Sequence, residues 1–352
     1  MPIAPHQAVK PVATSLSVVV CCYQSEKVIE DTVEAIARQD LDQHINWELL
    51  LIDNNCQDAT VRSAEEVWAA NGSPTAMRVV QELNQGLTAA RKRGVEESQF
   101  NTIVFCDDDN LLASNYLQIC FDLFSASPRL GVVGGTGTLA RTEEHPSWSD
   151  ECSRYLAFFP TDGLPEEHFT ASLYGAGMAI RRTIAIAILN SRAGNILMDR
   201  TGKDLSSGGD TVMAAITSII GWDALLTPEL RFVHAIPPSR FEPKYLRRLR
   251  YAMGKSGVEL LPLILLRDNK VHHLKSYWPT QVLVTLVRLV LQPWRNRSNK
   301  SEVNLELWGL LGALRALLKP RAFNRLARGY SDEIESIASY AGPPESRAAP
   351  RS

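Results

Sequence analysis

Several signatures are missing from this 352-residue sequence, and each absence closes a class of function. The six cysteines form no CxxC pair, so a zinc ribbon or dithiol redox centre finds no support. No apolar run approaches the roughly 20 residues that a membrane-spanning helix needs. The most apolar stretch, Val282 to Leu291, is shorter and is broken by Arg288. Met1 to Thr14 lacks the basic-then-apolar order of a secretory leader, which makes a reducing cytoplasm the default expectation. The first strand-like run, Leu16 to Cys22, is not followed by GxGxxG, which disfavours dinucleotide binding. Nor does Cys21 to Lys27 form the Gly-rich, Arg/Lys-bearing loop of a nucleotidyltransferase.

Charge is present in balance but not in an even distribution. The net charge is only -2, yet Arg240 to Arg328 carries 18 Lys/Arg against 5 Asp/Glu, leaving an acidic body and a basic C-terminal region. The reading divides the chain into a loose N-terminal tail (1–14), a main domain (15–240), a basic helical region (241–330) and a C-terminal tail (331–352). Pro, Ala and Ser dominate both ends. In the helical region Leu246, Leu249 and Met253 share a face. Leu305 to Leu318 is a second apolar helix with basic residues beyond it. A helical subdomain packed on the body fits this pattern. So does peripheral membrane contact through 275–328, at the inner face of the cytoplasmic membrane, because apolar faces beside basic clusters suit anionic headgroups.

The main domain opens with alternating elements. Strands are expected at Leu16–Cys22, Trp47–Ile52, Met77–Gln81 and Thr102–Cys106, with helices after Val28, over Thr60–Ala70 and over Gly86–Glu97. This order implies α/β architecture with a parallel sheet, whose ligands bind beyond the C-terminal strand ends. Two strand ends are acidic: Asp53, and the triplet Asp107-Asp108-Asp109. Crowded carboxylates repel one another unless a cation or hydrogen bonds compensate. Oxygen donors of this kind suit Mg²⁺ or Mn²⁺, ions that hold phosphates. On these residues alone a solvated turn at Asp109-Asn110 competes evenly with a metal site. Further on, Leu225–Val233 is a last strand ending at His234, and Ser206-Ser207-Gly208-Gly209-Asp210 leads into a helix.

Five segments in order resemble glycosyltransferase family 2. Ser17 to Gln24 is similar to the family's SVVIPTYN opening, and Leu49 to Thr60 to its IVVDNGSTDGT strand and loop. Asn84-Gln85-Gly86 with Ala90, Arg91 and Gly94 resembles NxGxxxARNxG. Cys106 to Asp109 stands in the DxD region, and Gly208-Gly209-Asp210 where the family carries ED. The resemblance spans about Leu16 to His234. It departs at Cys21 and Gln24, for the usual Pro and Asn, and at Gly209, where the acidic neighbour of the catalytic Asp is missing. It also lacks the QxxRW signature of processive synthases, which argues for transfer of a single sugar.

The resemblance implies a GT-A fold, a mixed, mainly parallel central sheet flanked by helices, with a C-terminal helical extension. It implies an inverting, metal-dependent glycosyltransferase that uses Mn²⁺ or Mg²⁺ in cell-envelope or exopolysaccharide assembly. The donor would be a nucleotide-diphosphate sugar, the acceptor a saccharide or a lipid-linked hydroxyl, and no nucleic acid is expected as partner. Asp210 would be the catalytic base, against a plain N-cap role. Asp107, Asp109 and His234 would approach the metal. Tyr23, Asp53, Asn84, Gly86, Arg91, Asp107, Asp108, Gly177 and Arg240 would bind the nucleotide sugar. Tyr23 and Asp53 would serve the base, and Arg91 and Arg240 the diphosphate. Gly175-Ala176-Gly177 would line a sugar pocket. A sugar-nucleotide-forming nucleotidyltransferase and a non-catalytic nucleotide-binding module are the alternatives.

Overall fold

A computed structural model describes residues 15–160, 163–170, 173–192, 205, 208–267, 274–295 and 304–343. The predicted tail 1–14 lies outside the described residues. Four parallel strands form one half of the sheet: β1 (Leu16–Cys22), β2 (Trp47–Asp53), β3 (Met77–Gln81) and β4 (Thr102–Asp107). Between them run α1 (Ile29–Ala37), α2 (Thr60–Ala70) and α3 (Leu87–Glu97). Alternate side chains of the central strands go to opposite faces. Val19, Leu50 and Ile52 enter one core, and Val18, Val20, Leu49 and Leu51 the other. Because helices cover both faces, these strands read as continuous apolar runs rather than as an alternating pattern.

The second half of the sheet is mixed. β5 (Asn110–Leu112), α4 (Tyr116–Ala126), β6 (Leu130–Leu139), β7 (His168–Phe169), β8 (Ala179–Arg181), α5 (Arg182–Asn190), α6 (Gly209–Ile219) and β9 (Asp223–His234) follow in chain order. The strands lie in the order β3-β2-β1-β4-β8-β6-β9-β5, with β7 paired to β9. β8 runs antiparallel to both β4 and β6, so it splices the parallel half to the rest.

After a short 3-10 helix at Pro238–Phe241 come α7 (Pro243–Arg267), α8 (Leu274–Arg295), α9 (Leu305–Leu317) and α10 (Pro320–Ala341). α7 and α9 cross at glycines. A Cβ on Gly254 would overlap the Gly309 carbonyl oxygen, and one on Gly312 the Tyr251 carbonyl oxygen. The predicted tail 331–352 is therefore corrected up to Ala341. That stretch is helix, and Tyr330, Ile337 and Ala341 are buried in the core shared with α5 and α6. Trp222 Nε1 donates to the Ala341 carbonyl at 2.7 Å. Burying a large apolar side chain contributes about 2 kcal/mol, so the polar, Ser/Ala-rich look of this segment concealed a packed face. No helix among the described residues is long and apolar enough to cross a membrane.

Candidate active site

The acidic triplet occupies the end of β4 and the turn to β5. Asp107 is the last residue of β4, and Asp108 and Asp109 make the turn. The β5–β9 register sets Asn110 opposite His234, which carries the imidazole beside the turn. His234 Nε2 lies 3.3 Å from Asp109 Oδ1, and Arg240, in the 3-10 helix after Pro237-Pro238, lies 3.2 Å from Asp109 Oδ2. Both Asp109 and His234 are buried. Asp107 is engaged elsewhere, at 3.4 Å from the guanidinium of buried Arg91, which stacks over Phe105.

Asp108 turns towards the loop after β1. It accepts a short hydrogen bond from Ser25 Oγ, and its carbonyl accepts from Thr32 Oγ1 at 2.9 Å. Burial first, then the charge of Asp109 and of Asp107, outweigh the Ser25 bond and push its carboxyl up to about 7. At Arg240 burial works against the charge, but Asp109, Tyr245, Asp108 and Asp107 outweigh it and raise the pKa. The triplet thus keeps a surplus of negative charge that two arginines do not relieve.

The residues expected to meet the base lie at the tips of β1 and β2, where Cys22 is in register with Asp53. Tyr23 is 45% exposed, a free ring face at the entrance. Asp53 Oδ1 accepts the Cys56 N–H at 2.8 Å, which forms the turn after β2. Asn84 is spent on Glu82, its N–H and amide both donating to Glu82 Oε1. The organising residue here is Asn54, to which the sequence reading gave no role. Buried at the strand end, it donates to the carbonyls of Glu82 (3.0 Å) and Asn84 (2.8 Å) and accepts the Gly86 N–H at 2.7 Å. Gly86 itself has φ 133, a conformation that side chains disfavour, and so it starts α3.

A cavity of about 440 Å³ opens on the other side of the triplet. It brings together Arg91, Asp107, Asp210, His234 and Arg240 from separate elements. Gly175 and Ala176 line it too, and a Cβ at Gly175 would overlap the Arg91 guanidinium. Tyr23, Asp53, Asn84, Gly86, Asp108 and Asp109 are not in its wall. Gly177 lies behind it, at φ 69, with its carbonyl accepting from Tyr116 and a Cβ site blocked by that phenol. Asp210 sits in the first turn of α6, whose N-cap is Gly208. Its Oδ2 accepts the Gly175 N–H at 2.8 Å and its Oδ1 the Thr211 N–H at 2.7 Å. Thr211 Oγ1 also donates to Oδ1, at 3.5 Å, so these donors fix the carboxylate and leave Oδ2 a further lone pair. Sequence reading missed Tyr155, Phe159, Tyr174 and Ser256, which complete the wall. Ser256 did leave a signal, a polar residue in the otherwise apolar row Leu246, Leu249, Met253, Ser256, Leu260 and Leu263.

Asp109 and His234 have a spacing that suits a divalent cation. Two cis ligands of an octahedral ion stand about 3 Å apart, close to the 3.3 Å between Asp109 Oδ1 and His234 Nε2. His234 Nδ1 is buried with no hydrogen-bond partner. Among the described residues no group of three or more His, Cys, Asp or Glu gathers around one point. The protein therefore fits such an ion with two donors, and ligand oxygens and water would supply the rest.

Comparison with known proteins bears on the family and the fold. The model of the family "Glycosyl transferase family 2" matches residues 17–189. Asp210 and His234 lie beyond that match. Among curated relatives, the minor teichoic acid biosynthesis protein GgaA of Bacillus subtilis is 29% identical over 121 residues, covering 33% of this chain and 26% of that protein. The dodecaprenyl-phosphate galacturonate synthase of Rhizobium johnstonii is 32% identical over 95 residues, covering 27% of this chain and 28% of that protein. The similarity thus spans only about a quarter of the length of these relatives. Among solved structures, the mannosyltransferase PcManGT from Pyrobaculum calidifontis, in complex with GDP-Man and Mn²⁺, superposes with a TM-score of 0.50 at 18% identity. That superposition covers 94% of this chain and 87% of that one, a likeness of GT-A fold.

Proposed function

Because this chain belongs to glycosyl transferase family 2, we propose that it is a glycosyltransferase that moves one sugar from a nucleotide-diphosphate sugar to an acceptor hydroxyl with inversion, in cell-envelope or exopolysaccharide assembly. The observation that carries this reading is the arrangement of Asp210 and the Asp109–His234 pair. The carboxylate lines the same cavity as His234, and Asp109 stands 3.3 Å from that imidazole. Family membership sets aside the nucleotidyl-transfer and non-catalytic alternatives.

In this reading Tyr23 stacks on the base and Asp53 accepts a hydrogen bond from it at the strand tips. Asp108 stays with Ser25 and shapes that loop. Arg91 and Arg240 face the diphosphate, Arg240 exchanging part of its hold on Asp109 for phosphate oxygens. Asp109 and His234 would hold Mn²⁺ or Mg²⁺, which would supply positive charge against that gathering on the departing diphosphate. Asp107 orients Arg91. On the far side of the anomeric carbon Asp210 accepts the proton of the attacking hydroxyl, held in place by the Gly175 and Thr211 amides. Direct displacement inverts the anomeric configuration without a nucleophilic side chain. Screening UDP-, GDP- and dTDP-sugars with Mn²⁺ or Mg²⁺ for nucleoside diphosphate release tests the reading. Release from none of them, with or without acceptor, would sink it.

The membrane part of the proposal rests on α8 alone. α9 is packed on α7 at its glycines, whereas α8 exposes Leu283, Leu286, Val287, Val290 and Leu291 at helical spacing, with exposed Arg288 beside them. A bilayer with anionic headgroups suits that stripe within a region of excess positive charge. Flotation with phosphatidylglycerol vesicles should capture the wild type and not Leu286→Glu/Val290→Glu. Equal flotation of both would remove α8 as the contact.

A further inference from the structure

The cavity lining holds two kinds of residue: the charged groups already assigned, with Arg154, and a second set made of Tyr155, Phe159, Tyr174, Met253, Leu260 and the Ser256–Gly257 pair of α7. No role in donor binding reaches these residues. Phe159 and Tyr174 meet edge to face, with centroids 5.8 Å apart. Tyr174 also lies near enough to Asp210 for that charge, after burial, to raise its phenol pKa.

Ser256 is the anomaly in this wall. It is 3% exposed, and its Oγ is buried without a hydrogen-bond partner. A helical serine ordinarily returns its hydroxyl to the carbonyl one turn earlier, and this one does not. It occupies a place in the apolar row of α7 where leucine or methionine stands at the other positions. A buried hydroxyl without a partner is costly unless something supplies one. Gly257 beside it is also in the wall, and a Cβ built there meets nothing within 4 Å.

Building on the glycosyl-transfer reading, we propose that this wall is the acceptor subsite and that it takes a pyranoside, whose ring lies against Tyr174 and Phe159 and whose non-reacting hydroxyl pairs with Ser256 Oγ. Aromatic faces suit the C–H face of a sugar ring, and the serine needs a polar partner. A hydrocarbon tail would satisfy the rings and leave the serine unpaired, so it fits this wall less well. Ser256 is then a specificity residue: a site built to pair with a hydroxyl discriminates against a ligand that lacks it.

The test uses the full chain and two independent readouts. Calorimetry with p-nitrophenyl and octyl pyranosides, at saturating UDP or GDP, reads the subsite without any turnover. Nucleoside diphosphate release from the donor, with and without the same pyranosides, reads transfer. A pyranoside should bind the wild type. Ser256→Ala should weaken that binding and raise the acceptor KM about five- to tenfold, the loss of one hydrogen bond. Gly257→Leu, whose side chain enters open space, should abolish acceptor binding. Both variants should keep the wild-type affinity for nucleotide, whose proposed frame at the strand tips lies outside this wall. Unchanged pyranoside binding in both variants would overturn the proposal. So would turnover on a polyprenyl phosphate with binding of no pyranoside. If no nucleotide sugar binds or turns over, the glycosyl-transfer reading falls, while the pyranoside titrations still decide the subsite.

Discussion

The strand tips of β1 to β3 and the cavity beside α7, the two halves of the proposed site, are built on opposite plans. At the tips the polar groups satisfy one another. Asn54 ties Glu82, Asn84 and Gly86 together, Asp53 caps its own turn, and Ser25 holds Asp108. In and beside the cavity they are left open: the spare lone pair of Asp210 Oδ2, the Nδ1 of His234 and the Oγ of Ser256. Pre-paired groups make a rigid frame that receives a ligand through a few exposed faces, such as Tyr23. Open groups in a buried setting are expensive until a ligand completes them. The difference suggests a frame for the nucleotide and a reactive, selective half for the chemistry and the acceptor.

The sharpest way to break this division is Asp210→Asn. Transfer should fall by at least about a hundredfold, the lower range for loss of a general base, while nucleotide-sugar binding by calorimetry stays intact. An effect on binding alone would move Asp210 to the frame as an ordinary helix-start residue. Next in size is His234→Ala. Its loss should weaken Mn²⁺ activation at least about tenfold, since even outer-shell partners of a metal cost that much. Titration of donor-dependent activity with Mn²⁺ reads the shift. A variant with the wild-type Mn²⁺ midpoint would leave His234 a partner of Asp109 and nothing more.

How far the sequence could be read follows the same line. The parallel half was legible because β1, β2 and β4 are buried on both faces and read as apolar runs, and because β2 and β4 end at Asp53 and Asp107, which marks the candidate site as well as the element. Strand β1 and helix α2 were expected at the bounds they have, and β4 carries one residue more, Asp107. The His234–Asp109 pairing was half legible. A histidine at a strand end is visible, but only the β5–β9 register places it beside the turn. The cavity's aromatic wall was not legible, because Tyr155, Phe159 and Tyr174 come from irregular segments with no period to read. Residues 331–341 misled for another reason. Their apolar positions are few, and the core that buries Ile337 and Ala341 is assembled from α5 and α6, more than a hundred residues away.

The smallest predicted effect tests whether α7 belongs to the catalytic body at all. Replacing a helix-interior glycine by alanine normally stabilises a helix by about 1 kcal/mol. At Gly254 the sign should reverse, because the added Cβ would overlap the Gly309 carbonyl oxygen, a backbone atom that cannot rotate away. Separating the two helices enough to admit a methyl group should cost about 1–3 kcal/mol, as overpacking does elsewhere, and thermal unfolding would show it as a lowered Tm. The more telling readout is acceptor KM. α7 carries Met253, Ser256, Gly257 and Leu260 in the cavity wall and Gly254 on its other side. A shift of the helix should therefore loosen acceptor binding and leave the nucleotide frame alone. A raised or unchanged Tm would mean that the crossing yields, and that the wall is held by the body of the enzyme rather than by α9.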